Sequence, residues 1–141
     1  MKAPVLAPLL QEAYRSADRA ISDRLRSRGF DVTRAHSAVL ANIDIATGTR
    51  PTVLAERAAV TKQAIGQVID DLEARSLVTR VADPTDRRAR LIRLTAKGRR
   101  LVAAAQEVIQ EIEASVLEEV SAGSMDATRR TLSALIQVTS R

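Results

Sequence analysis

Three features of the sequence predict a mainly α-helical chain with one small β-hairpin. Apolar residues recur every three or four positions through most of the 141 residues, which is the period of amphipathic helices. The period changes only over residues 78–94, where two short aliphatic or β-branched runs flank Asp83-Pro84-Thr85-Asp86, a strong turn sequence. Charge is polarised as well. Between residues 83 and 100 seven cations stand against Asp83 and Asp86, so this segment holds the whole net charge of +5. Residues 101–125 reverse the sign, with five glutamates and no cation.

In chain order, the first helix has Pro4 and Pro8 just before or inside its first turn, where proline is tolerated. Leu6, Leu10, Ala13, Ala17, Ile21 and Leu25 form its stripe, and Gly29 ends it. Thr33 is suited to cap a second helix in which Ala35, Val39, Leu40 and Ile43 share a face before Gly48 stops it. Past the turn at Arg50-Pro51, a short helix points Leu54, Ala55 and Ala58 inward. Thr61 caps the next helix, with Ile65, Val68, Ile69 and Leu72 on one side and Lys62, Gln63, Gly66, Gln67 and Asp70 on the other. Strands are expected at residues 78–82 and 90–94, joined by a tip that projects three arginines. From a cap at Thr95 a long helix runs past Val120 until Gly123-Ser124 breaks it, and a last helix aligns Met125, Thr128, Leu132, Leu135 and Ile136.

Composition removes several function classes. There is no cysteine, hence no disulfide, thiolate catalysis or Cys-ligated metal, and His36 is the single imidazole, so a multi-histidine metal site within one chain is excluded. Tyr14 and Phe30 are the two aromatics, too few for a stacking surface or an aromatic-lined cofactor pocket. No run approaches the roughly 18 apolar residues of a membrane span, and the N-terminus has no secretory pattern, so a soluble, cytoplasmic protein is expected. No nucleophile–base pair or Gly-rich phosphate loop is recognisable and His36 has no evident partner, so neither an enzyme nor a cofactor is expected.

A short helix, a tight turn, a second helix and then a hairpin make a winged helix-turn-helix, and this gives the charge a purpose. The second helix keeps an apolar back and offers polar and small residues to base edges: Thr61, Lys62, Gln63, Gly66 and Gln67. Gln63 and Gln67 lie one turn apart, each with an amide that suits adenine, and Gly66 lets backbone approach the groove. By itself such a helix reads equally well as an ordinary amphipathic surface helix, and the hairpin that follows it tips the balance. On the hairpin, Arg88 suits a narrow, electronegative A·T-rich minor groove, with Asp86 two residues earlier able to orient its guanidinium or simply to form the turn.

Residues 54–98, ending in DPTDRRARLIRLTAKG, resemble the winged helix-turn-helix of the MarR family of bacterial transcriptional regulators. The most specific part is the family pattern D-x-R-x…L-T-x-x-G, met by Asp86, Arg88, Leu94, Thr95 and Gly98. The resemblance implies long terminal helices joining a homodimer, here residues 1–30 and 101–141, around a DNA-binding lobe at 31–100. It places Leu6, Leu10, Ile21, Leu132, Leu135 and Ile136 at the dimer interface. Asp86, Arg87, Arg88 and Arg90 become wing residues, with Arg88 in the minor groove. The implied partner is a pseudo-palindromic double-stranded DNA operator, and the implied role is repression released by a small-molecule effector such as an aromatic acid or phenol. Tyr14, Arg15, Arg19 and His36 are the polar candidates for the effector crevice. A ligand-independent regulator or an architectural DNA-binding protein is the alternative. The chain departs from the family pattern at Ala59 and Ser76, where glycine is usual, and both are expected at positive φ. It departs again at Gln67 and Asp71, so no operator sequence is implied.

Overall fold

The computed structural model describes residues 5–140, and Pro4 therefore lies outside the described residues. The chain divides into two compact units, Met1–Gln106 and Glu107–Arg141. In the first unit come helices α1 (Leu6–Ser27), α2 (Arg34–Leu40), α3 (Pro51–Arg57) and α4 (Lys62–Ala74), then strands β1 (Val78–Asp83) and β2 (Asp86–Leu94). Helix α5 (Ala96–Glu119) begins in this unit and ends in the second, which also contains α6 (Ala122–Thr139). The described residues thus form six helices and a two-stranded antiparallel hairpin, as the periodicity predicts.

Each boundary in the first unit has a local cause. Helix α1 stops at a corner where Gly29 takes φ +88 and the Phe30 amide donates to the Leu25 carbonyl. Helix α2 opens with a capping box, in which Thr33 Oγ1 accepts from the His36 amide while His36 Nδ1 accepts from the Thr33 amide. It ends at Leu40, short of the expected stop at Gly48. Asp44 Oδ1 accepts from the amides of Ala46 and Thr47, and its own amide donates to Thr49 Oγ1. These side-chain bonds offer the backbone a turn in place of another helical turn, and they hold the Asp44 carboxyl below its ordinary range, with the Thr47 amide the leading cause. Ile43 is nonetheless buried, as its place on the apolar face predicts.

The core of the first unit is aliphatic. Leu25, Val39, Leu40, Leu54, Ile65, Ile69, Leu72, Val78 and Ile92 are almost wholly enclosed, and they are drawn from α1 to α4 and both strands. The strands pair from Val78↔Leu94 to Asp83↔Asp86, and a bridge between Thr49 and Ile92 adds a short third edge. Both strands are longer than expected at the tip, because Asp83 closes the turn with its side chain and the pairing runs up to it. At the far end of the hairpin, a Cβ on Gly98 would collide with the Leu77 carbonyl oxygen, so the start of α5 lies directly on the start of β1. Thr95 supports this joint: its Oγ1 donates to the Ser76 carbonyl at 2.6 Å and accepts from the Gly98 amide at 3.0 Å. The T-x-x-G spacing therefore has a mechanical reason.

In the second unit, α5 ends at Glu119, before the expected break at Gly123-Ser124. Ser121 is extended and its Oγ accepts from the Ser124 amide, so α6 begins one turn earlier and Gly123 falls within its first turn. Arg129 ties the two helices by donating to Glu113 at 2.8 Å. None of the 18 residues of α6 is buried.

Candidate nucleic-acid interface

Helix α4 has the division of labour that a groove-reading helix needs. Thr61 Oγ1 accepts from the Ala64 amide and sets the helix start. Ile65, Ile69 and Leu72 are buried on its back, while Lys62, Gln63 and Gln67 are exposed on its front. Nothing lies within 4 Å of where a Gly66 Cβ would stand, so the backbone is bare on that side. The turn between α3 and α4 passes through Ala59 at φ +53, closed by the Val60 amide donating to the Ala55 carbonyl. Ser76 follows α4 at φ +59. Both non-glycine residues adopt the left-handed conformation expected of them.

Arg87, Arg88 and Arg90 are all exposed on the wing, where the strand register shifts between Ala82 and Asp83. Of the two roles open to Asp86, the bond seen is the turn-forming one. Its Oδ1 accepts from the Arg88 backbone amide at 3.0 Å, so it shapes the main chain beneath Arg88 and leaves the guanidinium unheld by that bond. The residue that anchors the wing is Asp83, which the sequence marks only as a turn former. Its Oδ1 accepts from the amide and hydroxyl of Thr85, and its Oδ2 accepts from Arg50 Nε at 2.7 Å. These bonds, led by the Thr85 hydroxyl and amide and joined by the Arg50 charge, hold its carboxyl at a pKa of about 2. Arg50 is the N-cap of α3, so the anchor ties the wing to the helix-turn-helix.

Three carboxylates on α4 also have cationic or imidazole partners that the sequence does not announce. Arg80, on β1, donates to both Asp70 and Glu73. Asp71 accepts from Arg75 Nε and lies 2.6 Å from His36 Nε2. Burial works against the Asp71 charge, yet the bonds from His36 and Arg75 hold its carboxyl below the ordinary range. Since His36 Nδ1 accepts a backbone amide, Nε2 is the ring nitrogen that carries the proton and donates to Asp71. His36 does have a partner, then, contrary to the expectation from sequence, and it is buried at 3 % exposure. Residues 35 positions apart could not be paired from periodicity within either helix.

Tyr14, Arg15 and Arg19 are exposed along α1, with the Arg34 guanidinium 5.1 Å from the centre of the Tyr14 ring, while His36 is enclosed in the capping box of α2. A cavity of about 200 Å³ is lined by Gly29, Phe30, Asp31, Val32, Arg75, Leu77, Lys97 and Leu101. Another, of about 420 Å³, lies between the loop at Ala46-Thr47 and the wing. Neither includes Tyr14, Arg15, Arg19 or His36. Of the residues expected between protomers, Leu6 and Ile136 are exposed at 48 % and 65 %, while Leu10, Ile21, Leu132 and Leu135 are half-buried. Among the described residues there is no cluster of three or more side chains suited to hold a metal, and no helix is long and apolar enough to cross a membrane.

Comparison with known proteins agrees with this geometry. Residues 30–89 match the model of the MarR family. The transcriptional regulator HosA of Escherichia coli O111:H- is 33 % identical over 91 residues, which is 64 % of this chain and 67 % of that protein. Among solved structures, CouR from Rhodococcus jostii RHA1 bound to p-coumaroyl-CoA superposes with a TM-score of 0.73 at 28 % identity, covering 90 % of this chain and 88 % of that one. The transcriptional repressor CouR bound to a 23-mer DNA duplex gives 0.78 at 25 % identity, covering 94 % and 92 %. A helix with an apolar back and an amide-bearing front, followed by an arginine-tipped hairpin, is thus found in a chain that belongs to the MarR family of DNA-binding transcriptional regulators.

Proposed function

We propose that the chain acts as a homodimer on a pseudo-palindromic operator, with α4 of each protomer in the major groove and each wing in the adjacent minor groove. The observation that carries this reading is the front of α4, where Gln63 and Gln67 are exposed and the backbone at Gly66 is bare, held in one unit with the exposed Arg87, Arg88 and Arg90 of the wing. Thr61, Lys62, Gln63, Gly66 and Gln67 read or approach bases, Arg88 enters the minor groove, and Arg87 and Arg90 neutralise phosphate. Residues 31–100 form the DNA-binding lobe, and residues 1–30 and 101–141 the dimerisation helices. The action is repression by occupation of a promoter, in the cytoplasm and without enzymatic chemistry. Release comes from a small-molecule effector, an aromatic acid or phenol, a reading supported by the p-coumaroyl-CoA bound to CouR. A ligand-independent regulator or an architectural DNA-binding protein is the second reading, favoured by the burial of His36 with both ring nitrogens already engaged by Thr33 and Asp71.

Selection of duplexes from a random pool by the purified protein, followed by titration of Gln63→Ala and Gln67→Ala, tests the DNA reading. Each change is expected to alter the preference at particular base pairs by about 1–3 kcal/mol. Unaltered preference in both variants would assign base reading to other residues. Thermal-shift screening with aromatic acids, then operator release, separates the two readings of ligand control.

A further inference from the structure

The exposed stripe of α4 does not end at Gln67. At the same helical spacing it continues to Asp70 and Glu73, so the surface that faces a DNA groove finishes in two carboxylates. Carboxylates beside a phosphate backbone oppose binding, and the charge that answers them comes from the wing. Arg80 leaves β1 with one guanidinium nitrogen on Asp70 Oδ1 and another on Glu73 Oε1, the second at 2.6 Å. Its side chain is 32 % exposed, less than either carboxylate, which stand at 70 % and 42 %. Asp70, acting through its hydrogen bond, is the main reason that the guanidinium holds its proton more tightly than usual, although burial works against this. One cation therefore closes the acidic end of the α4 stripe and joins the first wing strand to the helix.

We propose that Arg80 is a positioning residue of the DNA-binding surface, offsetting the Asp70 and Glu73 charges at the rim of the groove and fixing β1 against the C-terminal half of α4. The proposal rests on the reading that α4 enters the groove. Arg80 need not touch DNA. Its removal leaves two carboxylates per protomer facing phosphate, and the harm can be undone by neutralising those same carboxylates.

The test uses a duplex that the wild-type protein selects from a random pool, titrated by fluorescence anisotropy at low and at high salt, with melting curves for every variant. Arg80→Ala is expected to weaken binding at least about fivefold at low salt, the gap narrowing at high salt as screening shortens the reach of the exposed charges. Arg80→Ala combined with Asp70→Asn and Glu73→Gln should recover at least wild-type affinity, to within about twofold, because the one cation is lost together with both carboxylates that oppose phosphate. If Arg80→Ala melts at the assay temperature, Arg80→Gln keeps part of the aliphatic stem and one amide donor group while dropping the charge, and the same rescue applies. A combined variant as weak as Arg80→Ala alone would make Arg80 a direct phosphate contact and overturn the proposal. Full affinity in Arg80→Ala would overturn it too. Should the wild-type protein select no duplex, the reading of α4 falls and the proposal falls with it, whereas failure of the variants alone leaves that reading intact.

Discussion

Acid should loosen the wing through Asp83. Its carboxyl titrates at about 2 in the fold, against about 3.9 for an unfolded aspartate. Between these values the unfolded chain binds more proton, so stability rises with pH across that window and is lost as pH falls from about 4 to about 2. Urea melts of the wild type and Asp83→Asn should therefore differ most at neutral pH and converge toward pH 2, while a constant difference would show that the Asp83 charge has no part in the anchor. Arg88 is the other residue with a distinct expectation, since it is exposed and Asp86 bonds only its backbone amide. Arg88→Ala should cost about 1–3 kcal/mol per half-site and leave folding intact. Arg88→Lys should recover part of the loss, because an ammonium is more strongly hydrated than a guanidinium. Titration against A·T-rich and G·C-rich wing steps reads the effect, and equal losses on both would reduce Arg88 to a phosphate contact.

For the elements, what matters is how each ends. Helix α4 closes with Ser76 at φ +59, a conformation in which a side chain is strained but the backbone bonds are sound: its amide donates to the Glu73 carbonyl and its carbonyl accepts from Thr95. Ser76→Gly keeps those bonds and removes the strain, and should stabilise the protein by roughly 0.5–1 kcal/mol after glycine's greater unfolded freedom is counted. Equilibrium unfolding in urea measures this, and a clear loss would mean that the serine side chain contributes something the backbone geometry does not. The caps at Thr33, Thr61 and Thr95 were legible in the sequence because each is a local device, a hydroxyl accepting from an amide three residues on. The ends of α2 and α5 were not. At those points an Asx-type turn at Asp44 and a serine cap at Ser121 compete with further helix, and periodicity carries no measure of that competition.

At the scale of the whole molecule, apolar surface is left over. Helix α6 buries none of its 18 residues, and Val5, Leu6 and Leu9 at the start of α1 are exposed at 48 % or more. Surface of this kind on two terminal helices is what a second copy of the chain would cover. Sedimentation at micromolar concentration is expected to give a dimer. Leu135→Glu should shift it toward monomer and weaken operator binding by losing the second half-site. A folded wild-type monomer that binds operator at full strength would remove the dimer from the mechanism.

By itself the sequence determined what depends on neighbours along the chain: which stretches are helical, where the hairpin turns, which threonines cap, and which face of α4 is apolar. These follow from period and from side chains bonding to backbone a few residues away. It determined the family for the same reason, since the wing pattern from Asp86 to Gly98 is contiguous. Only the tertiary structure decided the partners of charge. Arg50 reaches Asp83 across 33 positions, His36 reaches Asp71 across 35, and Arg80 spans from strand to helix to hold Asp70 and Glu73. A long flexible cation carries no mark in its own sequence of which carboxylate it will meet, because that choice is made by the packing of the Leu54, Ile65, Ile69 and Ile92 core, which brings α3, α4 and the hairpin together.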